Sequence, residues 1–440
     1  MEEKRIYMDY AATAPVDSQV LSEMMPYFSE NFGNPSSVHE FGEEAQKGVV
    51  KARQQIAEFL GCDTSEILFT SGATEGNNTV VKGIAMSRKI WDEREGKPHI
   101  IVTDIEHDCV LESAKRVARD GLAEVSFVPV QNDGRVNIET IKSLIRPETA
   151  LVSVMYANNE TGAIQPIREI GKMIAELNAT GRKRIYFHSD SAQAANYLDC
   201  NVNNLQVDLL TISAHKIYGP KGIGVLYVRK GTPLAKFMDG GEQEYKLRAG
   251  THNTPGIVGF GSAVSRIKDY AAKNEEIRVL RDKLIDGILS SVSRSALNGP
   301  KENRLPNNAN IRFEGAEGEA ILVMLSQAGI SVSTGSACAA KSLSPSHVLK
   351  AMGMSDLDAH SSIRFSLGRG TTAEDVNYVI SVLPGIIEKL RSVSGSFGEP
   401  AKQPSSETNM FYSDDVLDRG GLPADLGCEK NRKTGEIKEE

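Results

Sequence analysis

The sequence predicts an α/β protein with a mostly parallel central sheet and a smaller α+β region after it. Between about Ser65 and Lys230, short apolar runs alternate with longer amphipathic stretches, the rhythm of βαβ units. Those runs hold few charges, as strands covered on both faces must. From about Gly256 the alternation stops, and long charged helical stretches surround one strand-like run.

Taken in order, strands are expected at 67–70, 100–103, 125–130, 150–155, 185–188, 209–213 and 225–228. Helices are expected between them at 108–119, 138–145 and 167–177, where apolar residues recur every three or four positions. Beyond Gly256 come a helix over 267–288, a strand over 309–313, a helix over 317–327, a Gly/Ser-rich loop and a closing helix over 373–393. Thr372 and Asp375 are spaced to cap that last helix. From about Gly395 the chain turns to Pro, Ser and charge. Too few apolar residues remain there to offset the entropy of ordering, so 395–440 is expected to be a mobile tail.

Composition narrows the function classes. The 440 residues are 40% hydrophobic and 25% charged, ordinary for a globular protein. With 58 acidic against 50 basic residues the net charge is −8, so no direct nucleic-acid partner is expected. Five cysteines (Cys62, Cys109, Cys200, Cys338 and Cys428) are odd in number and scattered. That pattern predicts neither a disulfide framework nor a metal finger, and points to a reducing cytoplasm. No signal peptide is visible and no apolar run approaches the roughly 18 residues of a membrane span, so no membrane partner is expected.

Five groups fall at expected C-terminal ends of strands, the edge where open α/β sheets bind ligands. Lys216 follows the strand 209–213, and the loop after it holds Gly219, Pro220, Gly222 and Gly224. Alone, such a lysine is a solvated surface group; in a tight loop at that edge it can form a Schiff base with an aldehyde cofactor. Asp190 would be an ordinary helix cap, or the carboxylate that keeps a pyridinium nitrogen protonated. Thr70-Ser71-Gly72-Ala73-Thr74-Glu75-Gly76-Asn77-Asn78 passes from strand into helix, and small residues at the helix start leave backbone N–H groups that can hold a phosphate. His107 follows the strand 100–103, and Asn158-Asn159-Glu160-Thr161-Gly162 follows the strand 150–155. Each has a bland reading, a structural histidine and a polar turn. Their joint placement on one edge argues against all five bland readings at once.

Two further residues stand apart. Cys338 lies among small and polar neighbours with Lys341 close by, a setting that favours an accessible thiolate. The other four cysteines lack it and are read as structural. Arg364 is the one charge in the apolar run Ser361-Ser362-Ile363-Arg364-Phe365-Ser366. A buried arginine needs an anion, and a substrate carboxylate suits its fork.

The whole set resembles the cysteine desulfurases, members of the class V aminotransferase-like pyridoxal-phosphate enzymes of fold type I. The matching segments are Met8-Asp9-Tyr10-Ala11-Ala12-Thr13, Phe32-Gly33-Asn34-Pro35-Ser36-Ser37, the Ser71–Thr74 loop, Ser213–Gly219, Arg248-Ala249-Gly250-Thr251 and Gly335–Cys338. The long cysteine loop, ending in Leu343-Ser344-Pro345-Ser346-His347-Val348-Leu349, resembles the group I enzymes of iron–sulfur cluster assembly. Ala14, and Ala339-Ala340-Lys341, depart from the family pattern without removing a reactive group.

The resemblance implies a large domain over 16–256 that binds pyridoxal 5'-phosphate, and a small one from 1–15 with 257–394 that carries the cysteine loop. It implies that Lys216 carries the cofactor, Asp190 pairs with its ring nitrogen, Gln193 reaches its ring hydroxyl and His107 stacks on it and shuttles protons. Ala73, Thr74, Ser213 and His215 would hold the phosphate, with Thr251 reaching the phosphate of a second copy in a homodimer. Asn159 and Arg364, with Asn34, would orient L-cysteine. Cys338 would take its sulfur as a persulfide, leaving alanine, and pass it to an iron–sulfur scaffold, a tRNA-thiolation relay or another sulfur acceptor. No metal site is implied beyond a transient cluster contact at Cys338. Selenocysteine lyase and a non-catalytic sulfur-assembly platform remain as alternatives. A plain aminotransferase would have no use for Cys338.

Overall fold

The computed structural model describes residues 5–94, 96–334 and 344–394. Its strands, in chain order, are β1 (Ile6–Tyr7), β2 (Ile67–Thr70), β3 (His99–Thr103), β4 (Glu124–Val128), β5 (Thr149–Ser153), β6 (Tyr186–Asp190), β7 (Leu209–Ser213), β8 (Gly224–Val228), β9 (Ser295–Leu297), β10 (Asn308–Phe313), β11 (Ile330–Ser331) and β12 (Ser362–Ser366). Seven of them form one sheet in the order β2-β8-β7-β6-β5-β3-β4. Only β8 runs against its neighbours, so the other six share one direction and present their C-terminal ends along one edge. All seven expected strands are present, displaced by at most two residues.

The sheet is covered on both faces, which is why its strands read as continuous apolar runs. Alternate residues serve different layers. Ile101, Val152, Phe187 and Leu210 join a core that includes Val49, Ile56 and Phe260. Ile100, Val102, Leu151 and Leu209 join another with Val80, Ile84 and Val110. A third cluster lies around the antiparallel sheet β12-β10-β9 and includes Ile277, Leu284, Ile311, Ile363 and Leu383. Met8 and Ile6 belong to it, because β1 pairs in parallel with β11.

The expected helices over 108–119, 138–145, 167–177 and 317–327 are Asp108–Arg119, Ile138–Leu144, Ile167–Asn178 and Gly318–Gln327. The long stretch from Ile267 divides into a 3₁₀ turn, Ile267–Tyr270, and a helix, Ala271–Ser291. The closing helix is Ala373–Ser394, and the expected cap is made: Asp375 N–H donates to Thr372 Oγ1 at 3.2 Å and Thr372 N–H donates to Asp375 Oδ2 at 3.0 Å. Several helices lie outside those expectations, and the two longest of them are Glu40–Leu60 and Thr254–Ser265. They pack nearly backbone to backbone; a Cβ on Gly261 would stand 2.6 Å from Ala52 Cα. Residues 395–440, the expected tail, lie outside the described residues, as do Cys338 and Lys341.

Candidate active site

A cavity of about 990 Å³ lies at the C-terminal edge of the large sheet. Its wall takes residues from the segments after β2, β3, β5, β6 and β7, from the N-terminal segment Ala11–Thr13, and from Ser344–His347 and Arg364. The five groups that the sequence placed on one edge therefore meet in one space.

Lys216 ends the 3₁₀ turn Ala214–Lys216, immediately after β7. Its Nζ donates to the carbonyl oxygens of Ala11 at 2.6 Å and Ala12 at 2.7 Å. The loop beyond is conformationally unusual, with Tyr218 at φ +65° and Gly222 at φ +77°. His215 lies beside Thr13, its Nδ1 3.1 Å from Thr13 Oγ1. Burial, reinforced by the positive charges of Lys216 and Lys221, pushes its pKa down to about 4, so the ring is neutral near pH 7.

Asp190 is the last residue of β6 and is 6% exposed. Its Oδ1 accepts from Ala192 N–H at 2.9 Å and its Oδ2 from Asn77 Nδ2 at 2.6 Å. Gln193 Nε2 donates to Ala11 O at 2.9 Å, so it and Lys216 share one backbone carbonyl.

The helix Ala73–Ala85 begins at the cavity wall, after β2. A Cβ on Gly72 would meet nothing within 4 Å, so the space over the helix start is open. Glu75 braces this start from behind, accepting from Ser71 N–H at 2.7 Å and pairing with Arg248 at 3.0 Å. Burial raises the Glu75 pKa, but the hydrogen bonds from Arg248 and Ser71 outweigh it and hold the carboxyl below its ordinary range.

His107 caps the helix Asp108–Arg119, its Nδ1 accepting from Cys109 N–H at 3.2 Å. A backbone N–H only donates, so Nδ1 carries the lone pair and the neutral ring has its proton on Nε2. Arg364, 2% exposed, donates through Nη1 to Asn159 O at 3.0 Å and through Nη2 to Asp9 Oδ1 at 2.8 Å. Asn158 Oδ1 accepts from the N–H groups of Glu160 and Thr161, both at 2.9 Å, which folds the segment that presents Asn159.

The cavity wall thus holds Lys216, Asp190, His107, Ala73, Thr74, Asn159, Gln193, Ser213, His215 and Arg364. It does not include Asn34, which is exposed and whose Oδ1 accepts from Ser36 N–H at 3.0 Å. Thr251 is also exposed and outside the wall of its own chain.

Asp9, Asn77 and Glu160 lie in segments that the sequence singles out, but it assigns them no role. Asp9 and Asn77 hold Arg364 and Asp190. Glu160 accepts from Ser346 Oγ at 2.5 Å, tying the segment beyond Cys338 to the loop after β5. Asn77 lies one helical turn after Ala73, a spacing that signals a shared face. Cys109, read as structural, in fact lines the cavity, with its Sγ 3.0 Å from His107 Nδ1. Burial, with the Asp190 charge adding to it, pushes its thiol up to about 12, so it stays S–H. Burial does the same to Cys62, at about 12, and pushes Cys200 up further.

The residues present suit pyridoxal phosphate. The cavity offers an amine for its aldehyde, a buried carboxylate for its ring nitrogen and an open helix start for its phosphate. Among the described residues no helix is long and apolar enough to cross a membrane.

Comparison with known proteins agrees with this geometry. The model of the aminotransferase class-V family matches residues 6–379. The chain is 46% identical over 394 residues to the cysteine desulfurase IscS of Clostridium botulinum, covering 89% of this chain and 96% of that one. It is 46% identical over 389 residues to cysteine desulfurase IscS 1 of Archaeoglobus fulgidus, covering 88% and 98%. Among solved structures, a NifS-like protein superposes with a TM-score of 0.80 at 37% identity, covering 88% of this chain and all of the other. SspA in complex with cysteine gives 0.72 at 37%, covering 83% and 100%.

Proposed function

The chain belongs to the aminotransferase class-V family and is a pyridoxal-phosphate-dependent cysteine desulfurase, and we propose that Lys216, Asp190, His107, Arg364 and Cys338 divide its chemistry. The observation that carries this division is the meeting of Lys216, from the end of β7, with Asp190, from the end of β6, and Arg364 in one cavity.

Lys216 holds the cofactor and Asp190 keeps its ring nitrogen charged. Gln193 turns to its ring hydroxyl, and Ala73, Thr74, Ser213 and His215 hold its phosphate, His215 as a neutral donor or acceptor. When bound, the cofactor withdraws electrons from the substrate Cα, so that its proton can leave. Arg364 and Asn159 orient L-cysteine by its carboxylate, with the guanidinium already fixed by Asp9. Asn34 is proposed to join them. His107 moves the proton through Nε2, the nitrogen that its cap leaves free to do so. The Cys338 thiolate attacks the substrate sulfur. An S–S bond forms as the Cβ–S bond breaks, and the electron pair stays with the carbon, which takes a proton to become the methyl of alanine.

The acceptor we propose is an iron–sulfur scaffold or another sulfur-carrying protein in the cytoplasm. We further propose that a second copy covers the exposed apolar side chains Met25, Phe28, Phe32, Val38 and Phe41, of which Phe32 and Phe41 lie ring against ring and Val38 is 94% exposed. Thr251, exposed on its own chain, is then available to that copy. A division into two domains is supported by the separate cluster around β10 and β12, which takes up the chain from Ile277, whereas the helix Thr254–Ser265 packs into the core of the large sheet and moves the proposed boundary beyond 256.

The test is release of alanine and sulfide from L-cysteine. Purified protein should be yellow, bleach with borohydride and release both products. Cys338→Ala should keep the colour and lose sulfide release; Lys216→Ala should lose the borohydride-sensitive absorbance. A Lys216→Ala protein with unchanged absorbance would overturn the assignment.

A further inference from the structure

Asn77 is fully buried, one turn into the helix that opens the phosphate cradle, and its amide is directed to Asp190 rather than to the open helix start. Its Nδ2 is placed against two groups from different segments, Asp190 Oδ2 at 2.6 Å and Cys109 Sγ at 3.1 Å. The amide nitrogen has two hydrogens, so both are used. An ionised carboxylate only accepts, which fixes the amide with its nitrogen toward Asp190. The Oδ1 left over is buried and has no partner among the described residues.

A buried amide with an unpaired oxygen is a poor device for stability, because the oxygen loses water and gains nothing. The arrangement makes sense as a constraint on Asp190. With Ala192 N–H on Oδ1 and Asn77 on Oδ2, both carboxylate oxygens are held and the plane of the group is set. The Cys109 thiol, against Asn77 on one side and His107 Nδ1 on the other, extends the same network to the histidine of the site.

We propose that Asn77 is a positioning residue that orients the Asp190 carboxylate toward the ring nitrogen of the cofactor. This rests on the reading of Asp190 given above. Asn77 touches neither substrate nor the reacting atoms; it acts through Asp190, by hydrogen bonds that stabilise the ionised carboxylate and set its direction.

The experiment compares Asn77→Leu, Asp190→Asn and the unaltered holoenzyme. The variant Asn77→Leu keeps the side-chain volume and removes both hydrogen bonds. The absorbance of the bound cofactor is titrated with pH, and its dissociation is followed after dilution. In Asn77→Leu the titration midpoint should move by about half a pH unit or more, in the direction of Asp190→Asn and by less. Cofactor loss should be about tenfold faster, the effect of one hydrogen bond to a charged group. The thermal midpoint of the apoprotein should fall somewhat, since the buried Asp190 carboxylate loses a donor, so the titration and the cofactor loss carry the decision. A merely structural asparagine would lower the thermal midpoint and leave the titration and the rate of cofactor loss unmoved, and that result overturns the proposal. Should Asn77→Leu fail to fold, Asn77→Ala is read in the same titration with the same expectation. If Asp190→Asn itself leaves the midpoint unmoved, the reading of Asp190 falls and this inference with it; movement in Asp190→Asn alone overturns only the role of Asn77.

Discussion

Arg364 and Asp9 are 355 residues apart in sequence and joined at 2.8 Å in the fold. The guanidinium is almost wholly buried, whereas Asp9 keeps some contact with solvent. A buried arginine is tolerable only with its donors engaged, so Asp9 and the Asn159 carbonyl fix the fork before any substrate arrives. The expected outcome for Asp9→Ala is a destabilisation of about 1–3 kcal/mol together with a higher KM for L-cysteine. Arg364→Ala should raise KM by about tenfold to a hundredfold, the loss of a charge-assisted pair. Steady-state kinetics and denaturant unfolding measure both; an unchanged KM in Arg364→Ala would remove this arginine from substrate binding.

Glu106 is enclosed beside His107, and burial pushes its pKa up to about 8. Its Oε1 accepts from Thr103 Oγ1 and Met155 N–H, both at 2.7 Å, while Oε2 has no partner among the described residues. A carboxyl raised in the fold favours folding at low pH, and that contribution is lost as pH rises from about 4.5 through about 8, by up to about 1.4 kcal/mol per unit. Relative to the parent, Glu106→Gln should therefore gain stability between pH 5 and pH 8. Thermal melts across that range check it, and a pH-independent difference would count against a protonated Glu106.

Two buried histidines act in the opposite sense. Burial lowers His188 to about 3 and, as the leading cause, His99 to about 4. Both rings lie between hydroxyls, His188 between Ser153 and Thr211, and His99 between Thr149 and Ser126. The unfolded chain binds their protons near pH 6.5, so stability present above that value is lost as pH falls toward the folded pKa. The expected signature is a gap between His99→Gln and the parent that narrows from pH 7 to pH 5. It is read from urea midpoints at each pH.

Ser346 does two jobs where the chain re-enters the cavity wall. It caps the helix His347–Ala351 by accepting from Leu349 N–H at 3.2 Å, and it donates to the buried Glu160. Removing a cap costs about 1 kcal/mol, and leaving a buried carboxyl short of a donor costs about 1–3 more. Ser346→Ala should lose about 2–4 kcal/mol by denaturant unfolding. Ser346→Thr, which keeps the hydroxyl, should lose much less.

Reactivity should separate the cysteines sharply. Cys62 and Cys109 have thiols pushed to about 12 by burial, and Cys200 is wholly enclosed. Brief iodoacetamide treatment near pH 7.5 should leave these three unmodified and label Cys338, as read by peptide mass spectrometry. Labelling of Cys109 ahead of Cys338 would contradict the roles given to both.

The strands and the edge of the site were legible because both are written locally. A run such as Leu209–Ser213 is apolar on both faces, and Lys216 follows it within three residues. The helix Glu40–Leu60 was not legible for a physical reason. Five of its eight buried residues, Gly42, Ala45, Gly48, Ala52 and Ala57, are small and carry little hydrophobic signal, and Ala52 is where Gly261 of Thr254–Ser265 comes close. The hydrogen bonds that refine the site were hidden by distance along the chain. Asn77 meets Asp190 across 113 residues, and no periodicity or motif in one segment announces its partner in another.

The parallel pairing of β1 with β11, and Asp9 with Arg364, sets an order of assembly. During synthesis on a ribosome the β7–β8 hairpin that bears Lys216 can close early, since its strands are near neighbours along the chain. Arg364 takes its place in the cavity wall only after residue 366 has emerged and the strand around it has met Asp9. A nascent polypeptide therefore acquires its reactive amine long before it acquires a complete pocket, and prematurely terminated chains cannot mature into a working site.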